Sequence, residues 1–325
     1  MFNFGRICAA GLMVLAATSW ASAQETKYPT DKIIGAVAFS PGGGTDTIAR
    51  LISAELGKAL GQPVVIDNRP GAGGFVGWRS VASAKPDGYS LLVSENAIVI
   101  NPALRPDQKF DPNQELEPIV QIATAPLVLL VNKDLKADTV EELVALSKKD
   151  PTALTYSSSG IGSVSHVAFE ALASAIGLQA THIPYKGGGE AMTAIESGEV
   201  SATLNGVLIS KAKVDAGNVK ALVVTGDERA SVLADVPSQK ELNIDAGIHL
   251  VYWYAIFGPN GISDEVKATI RDAVKTVLDD PALLERMAKL GITPAFTDSD
   301  ALGSKVETEL KYWGDLIKKA GIKAE

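Results

Sequence analysis

Short apolar runs alternate along the chain with small-residue turns and with segments whose apolar positions recur at helical spacing. Residues 33–39 form a nearly unbroken apolar run, the pattern of a strand buried on both faces. A glycine-rich turn follows. Ile48, Leu51, Ile52, Leu56 and Leu60 then mark one face of a helix that Gly61 should end. Residues 64–66 read as a second strand, and 71–74 turn into a helix reaching to about Ala84. After the Pro86-Asp87-Gly88 turn, 91–93 read as a third strand.

The same succession returns further on. Strands are predicted at 127–131, 154–156, 182–184, 202–207, 222–224 and 251–257. Helices are predicted at 140–146, 163–176 (ended by Gly177), 191–197, 263–278, 281–290 and 299–319. Strand-loop-helix alternation of this kind predicts an α/β fold with a largely parallel sheet, the strands at 202–207 and 222–224 completing a second sheet.

Composition narrows the class. A chain of 325 residues has room for about two domains of roughly 150 residues each. Its 46% hydrophobic content excludes a disordered or fibrous chain. The net charge of −8 argues against nucleic acid as a partner. The single cysteine, Cys8, excludes an internal disulfide framework and a multi-cysteine zinc site. His166, His182 and His249 do not have the spacing of a metal motif, so neither metal nor cofactor is expected.

The first residues indicate a compartment. Arg6 precedes an apolar stretch at 7–17, and Ala21 and Ala23 make an A-x-A cleavage site. Residues 1–23 therefore read as a secretory signal peptide, too short to serve as a membrane span. Cys8 is not at the cleavage point, so no lipid anchor is expected. No later stretch approaches about 18 apolar residues, which predicts a soluble exported chain, periplasmic in a bacterium.

Three loops carry the chemistry. At 40–46, 157–163 and 185–190 a strand ends, small residues follow and a helix starts. A helix start leaves about four backbone N–H groups without intrahelical partners and carries roughly half a positive charge. Glycine lets a ligand approach those groups, so such loops hold anions without Lys or Arg. Thr45, Ser158, Ser159, Ser163 and Ser165 add hydroxyls. Phosphate is a poor fit: no Lys follows Gly44 as a P-loop requires, and Thr47 stands where the third glycine of G-x-G-x-x-G belongs.

The motif Ala38-Phe39-Ser40-Pro41-Gly42-Gly43-Gly44-Thr45-Asp46, with Ala49-Arg50, resembles the first signature of the Bug family, the periplasmic solute receptors of tripartite tricarboxylate transporters. The likeness continues in order through Gly61-Gln62-Pro63-Val64-Val65, Asn68-Arg69-Pro70-Gly71-Ala72-Gly73-Gly74, Lys85-Pro86-Asp87-Gly88-Tyr89 and Asn101-Pro102. It goes on in 157–163 with His166, in Ile183-Pro184-Tyr185-Lys186-Gly187 and in Asp235-Val236-Pro237. The resemblance implies a type II periplasmic-binding-protein fold: two α/β lobes, 24–126 plus 251–325 and 127–250, joined by two crossing segments with the ligand cleft between them. It further implies a monomer that binds a small organic acid and passes it to membrane transporter subunits. In the family the ligand carboxylate is held mainly by backbone N–H groups and water. Carried over by position, Ser40, Pro41, Gly42, Gly43, Gly44, Thr45 and Asp46 would line one wall, and Ser158, Ser159, Gly160, Gly162, Ser163 and His166 the other.

The chain departs from the family pattern at three places. Ser40 stands where Ala is common, and Asn205-Gly206 follow Leu204 where an aromatic-Asp pair is common. Ser94-Glu95-Asn96 replace small residues and Thr. Asn205 would remove a negative charge beside the cleft and suit a second carboxylate, whereas Glu95, with Asn96, would select an amino or hydroxyl group.

Other readings stand beside these. His166 is either a neutral donor to a carboxylate or a helix-packing residue. Lys186, beside Tyr185, either meets a distal carboxylate or lies at the surface. Trp253 and Tyr254 either pack beside the hinge or stack on the ligand. Asp46 should cap its helix and orient its loop rather than act as a base, and Ser163 should be a helix N-cap. A hydrolase using Ser163, His166 and Asp46, or a receptor presenting its ligand to a membrane sensor, are the alternatives in function.

Overall fold

The computed structural model describes residues 28–150, 153–245 and 251–323. The expected signal segment, with Arg6 and Cys8, lies outside the described residues, as does His249. Within them the chain forms strands β1 (Ile33–Val37), β2 (Val64–Asn68), β3 (Ser90–Glu95), β4 (Leu116–Asn132), β5 (Thr155–Ser158), β6 (Thr181–Pro184), β7 (Ala202–Gly206), β8 (Val219–Val224), β9 (Val251–Pro259) and β10 (Thr293–Thr297). The helices are α1 (Gly44–Leu60), α2 (Phe75–Ala82), α3 (Ala97–Leu104), α4 (Pro112–Glu115), α5 (Val140–Lys149), α6 (Val164–Ile176), α7 (Gly188–Ser197), α8 (Val207–Asp215), α9 (Asp264–Leu278), α10 (Pro281–Lys289) and α11 (Ser299–Ala320).

Helix limits follow local chemistry. Ser163, Ser263, Asp280 and Asp298 cap α6, α9, α10 and α11, each side-chain oxygen accepting a backbone N–H of the first turn. Gly61 and Gly177 close α1 and α6 in the left-handed conformation.

The strands form one curled sheet in the order β2-β1-β3-β9-β4-β7-β5-β6, with β8 and β10 also paired to β4. Pairing is parallel among β2, β1 and β3 and among β6, β5 and β7. It is antiparallel wherever β4 or β9 takes part. The expected largely parallel sheet is therefore half right: each lobe has a parallel edge, but two long strands traverse the middle in opposite directions. On β4, Leu116 to Pro126 pairs with β9, and from Leu127 onward the partners are β7 and β8. Val251, the start of β9, stands opposite Pro126, so the two crossings lie side by side. The result is two α/β lobes with the crossing strands between them.

Four elements escaped the sequence reading, the one-turn α4 among them. Pro102 lies inside α3, which disguised it, and the apolar Val207 extended the predicted strand where the chain in fact turns into α8. β10 lies against β4 and has only mixed apolar character. The core is continuous, with Trp78, Trp253, Tyr156, Tyr254, Phe75 and Phe169 fully buried.

Candidate functional site

The Ser40–Asp46 loop leaves β1 and enters α1 on Gly43, whose position no side chain caps. Asp46, buried one turn in, holds the loop: Oδ2 accepts Gly42 N–H at 2.9 Å, and Oδ1 accepts Arg50 Nε and Asn68 Nδ2, each at 2.9 Å. Burial alone would raise the Asp46 pKa, but Arg50, the Gly42 N–H and Asn68 together keep it below the usual carboxylate range. Asp46 thus orients its loop, as the sequence suggested, but it does not cap the helix: the N-cap position is Gly43, and Asp46 reaches back past it to Gly42.

Two more helices begin against this loop without a side-chain cap. α7 starts after Gly187, and α8 after Gly206. A Cβ placed on Gly43 would lie 3.5 Å from Gly188 N and 3.9 Å from Gly189 N; one on Gly44 would lie 3.7 Å from Leu208 Cδ2. One on Gly188 would meet Asn205 Oδ1 at 3.1 Å and Ser159 Oγ at 3.4 Å. Asn205 itself donates to Gly188 O at 3.2 Å and accepts Gly206 N–H at 3.1 Å, tying the α7 and α8 starts together. Three positive helix ends therefore meet at one place, which a bound anion would neutralise.

The serine loop differs from expectation. Ser159 N–H is taken by Ser165 Oγ at 2.9 Å, Gly160 N–H by Ser158 Oγ at 3.1 Å and Gly162 N–H by His166 Nδ1 at 3.2 Å. Ser163 Oγ caps α6 through His166 N–H. These amides are already partnered by side chains of the loop and of the first turn of α6, so the loop does not offer the N–H groups that its sequence suggested. The start of α8, which the sequence reading missed, supplies the third uncapped helix end instead.

His166 serves that loop. Its ring stacks on His182 with centroids 4.2 Å apart, and Ser158 Oγ pairs with His182 Nε2 at 2.6 Å. Burial, with His182 beside it, lowers the His166 pKa to about 3; burial lowers that of His182 to about 4. Both rings are neutral at pH 7. The triad considered for hydrolysis is not assembled, because Ser163 Oγ meets the His166 backbone rather than its ring, and Asp46 is engaged by Gly42, Arg50 and Asn68. Among the described residues no cluster of His, Cys, Asp and Glu is arranged to hold a metal, and no helix is long and apolar enough to cross a membrane.

The floor is built by β9. Tyr252 and Tyr254 point to one face with their rings stacked, centroids 5.7 Å apart. Tyr254 Oη would lie 2.9 Å from a Cβ on Gly44; it is buried and has no hydrogen-bond partner. The Tyr252 ring packs on Gly206, and its hydroxyl lies beside Ser165. Glu95, at the end of β3, stands directly opposite Tyr254 in the antiparallel register and is buried with it. Trp253 faces elsewhere and donates to Glu309 Oε2 at 2.9 Å, a packing role.

Contacts across the lobes complete the chamber. Ser40 Oγ donates to Glu190 Oε1 at 3.0 Å and to Lys186 O at 3.3 Å. The Lys186 residue is exposed and joins this contact through its main chain; Tyr185 is half-buried with its phenol beside Glu199. On the other side, Asn101 of α3 donates to Gly73 O at 2.7 Å and packs directly against Gly162. Tyr252, Asn101 and the Gly206 turn were not among the site residues read from sequence; the Asn101-Pro102 motif was the one signal available for Asn101.

Comparison with known proteins agrees with this fold. The profile of the tripartite tricarboxylate transporter family receptor matches residues 48–322. A UPF0065 protein of Agrobacterium vitis is 33% identical over 305 residues, covering 93% of this chain and 88% of that protein. Among solved structures, the periplasmic binding protein BugD superposes with a TM-score of 0.88 at 30% identity, over 92% of this chain and all of BugD. MatC from Rhodopseudomonas palustris with bound malate gives 0.84 at 30% identity, over 89% of this chain and all of MatC. An R. palustris protein with adipate gives 0.87 at 29% identity, over 91% and 99%. With a family profile covering most of its length and relatives matched end to end, the chain belongs to the tripartite tricarboxylate transporter receptor family, periplasmic solute-binding proteins rather than enzymes.

Proposed function

We propose that this protein captures a small organic acid between its two lobes and delivers it to the membrane subunits of a tripartite tricarboxylate-type transporter. The observation that carries this reading is the meeting of the uncapped starts of α1, α7 and α8, with the unpartnered Tyr254 hydroxyl aimed at Gly44. Backbone N–H groups at helix ends hold a carboxylate without a basic side chain, which suits a chain of net charge −8. Relatives crystallised with malate and adipate support a carboxylate as the ligand class.

The ligand-facing residues are then Gly42, Gly43, Gly44, Thr45, Gly188, Gly206, Ser159, Tyr254 and Glu95. Ser40, Pro41, Asp46, Asn96, Asn205, Ser163, His166, Tyr185 and Lys186 position them. The lobes divide as 24–126 plus 251–325 and 127–250. The mature protein is a periplasmic monomer released from its 1–23 signal peptide.

The test is calorimetry and thermal shift on the mature chain against mono-, di- and tricarboxylates and aromatic acids. A cognate acid at a hundred times its Kd should add about 2.7 kcal/mol of stability. No stabilisation by any carboxylate would refute the receptor reading. Loss of uptake of the bound acid on deleting the gene would establish delivery.

A further inference from the structure

The tyrosine face of β9 meets a second kind of chemistry on its β3 side, away from the three helix starts. Glu95 is 3% exposed, and the one hydrogen bond of its carboxyl within the described residues is from Ala97 N–H to Oε2, at 2.7 Å. Directly opposite residues of an antiparallel pair project from the same face, so Glu95 shares the face of Tyr254, and thereby of Tyr252, toward Gly44 and Gly206. The buried polar side chains of the described residues include no Lys or Arg. The titratable groups that face Glu95 are the phenols of Tyr252 and Tyr254, neither a cation. Beside it the Asn96 amide donates to Val251 O at 3.0 Å, which fixes its orientation and leaves the buried Oδ1 without a partner. An acidic oxygen pair and an amide oxygen, all acceptors, thus stand across the tyrosine floor from three helix ends that offer donors.

Resting on the carboxylate-receptor reading, we propose that the ligand is an amino acid, its carboxylate held by the starts of α1, α7 and α8 and its ammonium by Glu95. A buried carboxyl without a counter-ion is costly as an anion, and a ligand cation removes that cost. Burial raises the empty-site Glu95 pKa to about 8, against the lowering effect of the Ala97 N–H. At pH 7 roughly nine tenths of empty chains then carry a proton on Glu95. Binding of an ammonium returns Glu95 to the carboxylate and sends that proton to solvent.

The experiment is titration calorimetry on the mature chain at pH 7, with amino acids paired against their des-amino analogues. The pairs are aspartate and succinate, glutamate and glutarate, alanine and propionate, and phenylalanine and 3-phenylpropionate. Two buffers of different ionisation enthalpy report proton release. At least one amino member should bind ten-fold or more tightly than its analogue and release close to one proton. Glu95→Gln should weaken that amino acid ten-fold or more and abolish its proton release. Analogues binding as tightly as their amino partners, or amino acids binding without proton release, would overturn the ammonium site while leaving the carboxylate reading intact. Binding by neither member of any pair would overturn the ammonium site, and the carboxylate reading falls with it only if the wider panel of acids fails to bind as well. Should Glu95→Gln fail to fold, the paired affinities and the proton count on the wild-type chain still decide.

Discussion

Gly162 offers a direct test of whether closure of the two lobes underlies binding. Its φ is +79°, and its amide is fixed by His166 Nδ1 at 3.2 Å, so the loop cannot relax by changing that conformation. A Cβ at this position would stand 3.1 Å from Asn101 Cβ and overlap the Asn101 amide, which lies on the opposite lobe. In Gly162→Ala two costs separate. The left-handed conformation costs about 1–2 kcal/mol in every state. The overlap, about 1–3 kcal/mol for an overpacked contact, is felt only when the lobes are closed. Stability of the empty protein should therefore fall by a few degrees in Tm, whereas affinity for whichever acid stabilises the wild type most should fall roughly 5- to 150-fold. Asn101→Ala removes the group struck, so the double variant should recover at least about 1 kcal/mol of binding, measured as a calorimetric double-mutant cycle. Gly162→Ala binding within two-fold of wild type, or no recovery in the double variant, would refute the assignment of this contact to the closed form.

Other outcomes follow from the same geometry. Gly43→Val would set a branched side chain against Gly188 N, covering the α7 start, and should cost carboxylate binding more than a hundred-fold by titration calorimetry. Ser40→Ala removes the bonds to Glu190 and Lys186 O; affinity should fall about three- to ten-fold, by about 0.5–1.5 kcal/mol, with the empty-state Tm unchanged. Glu95 binds its proton more tightly folded than unfolded, so its contribution is complete below pH 4.5 and is lost as pH rises to about 8. Urea unfolding of the empty chain should show a loss across that range of at most about 5 kcal/mol, abolished in Glu95→Gln. His166 and His182 behave oppositely: their pKa values are lowered, so stability present above pH 6.5 is lost as pH falls toward 4 and 3, and His166→Gln should flatten that limb in the same assay.

Much of the fold was legible where the determinants are local. The spacing of Ile48, Leu51, Ile52 and Leu56, with Gly61 after them, specifies α1 and its end, because i, i+3 and i+4 side chains share a face whatever surrounds the helix. Ser163 and Ser263 mark helix starts for an equally local reason. The first half of β4 was not legible: Glu117, Pro118, Gln121 and Thr124 break the apolar run, and pairing with β9 makes it a strand. That same pairing turned an expected parallel sheet into a mixed one.

The glycine loops were recognised as anion sites by composition, yet composition cannot say whether an N–H is still available. Ser159, Gly160 and Gly162 give theirs to side chains of the loop and of the first turn of α6, while Gly188 and Val207 start helices that no side chain caps. By itself the sequence determined most of the helices, the glycine loops that open them and the family, since these depend on hydrogen bonds and periodicity within a few residues. Only the tertiary structure decided which helix ends converge and that Glu95 faces Tyr254 without a counter-ion among the described residues. Those are properties of the space between segments, which the strand order of the sheet creates and no local pattern encodes.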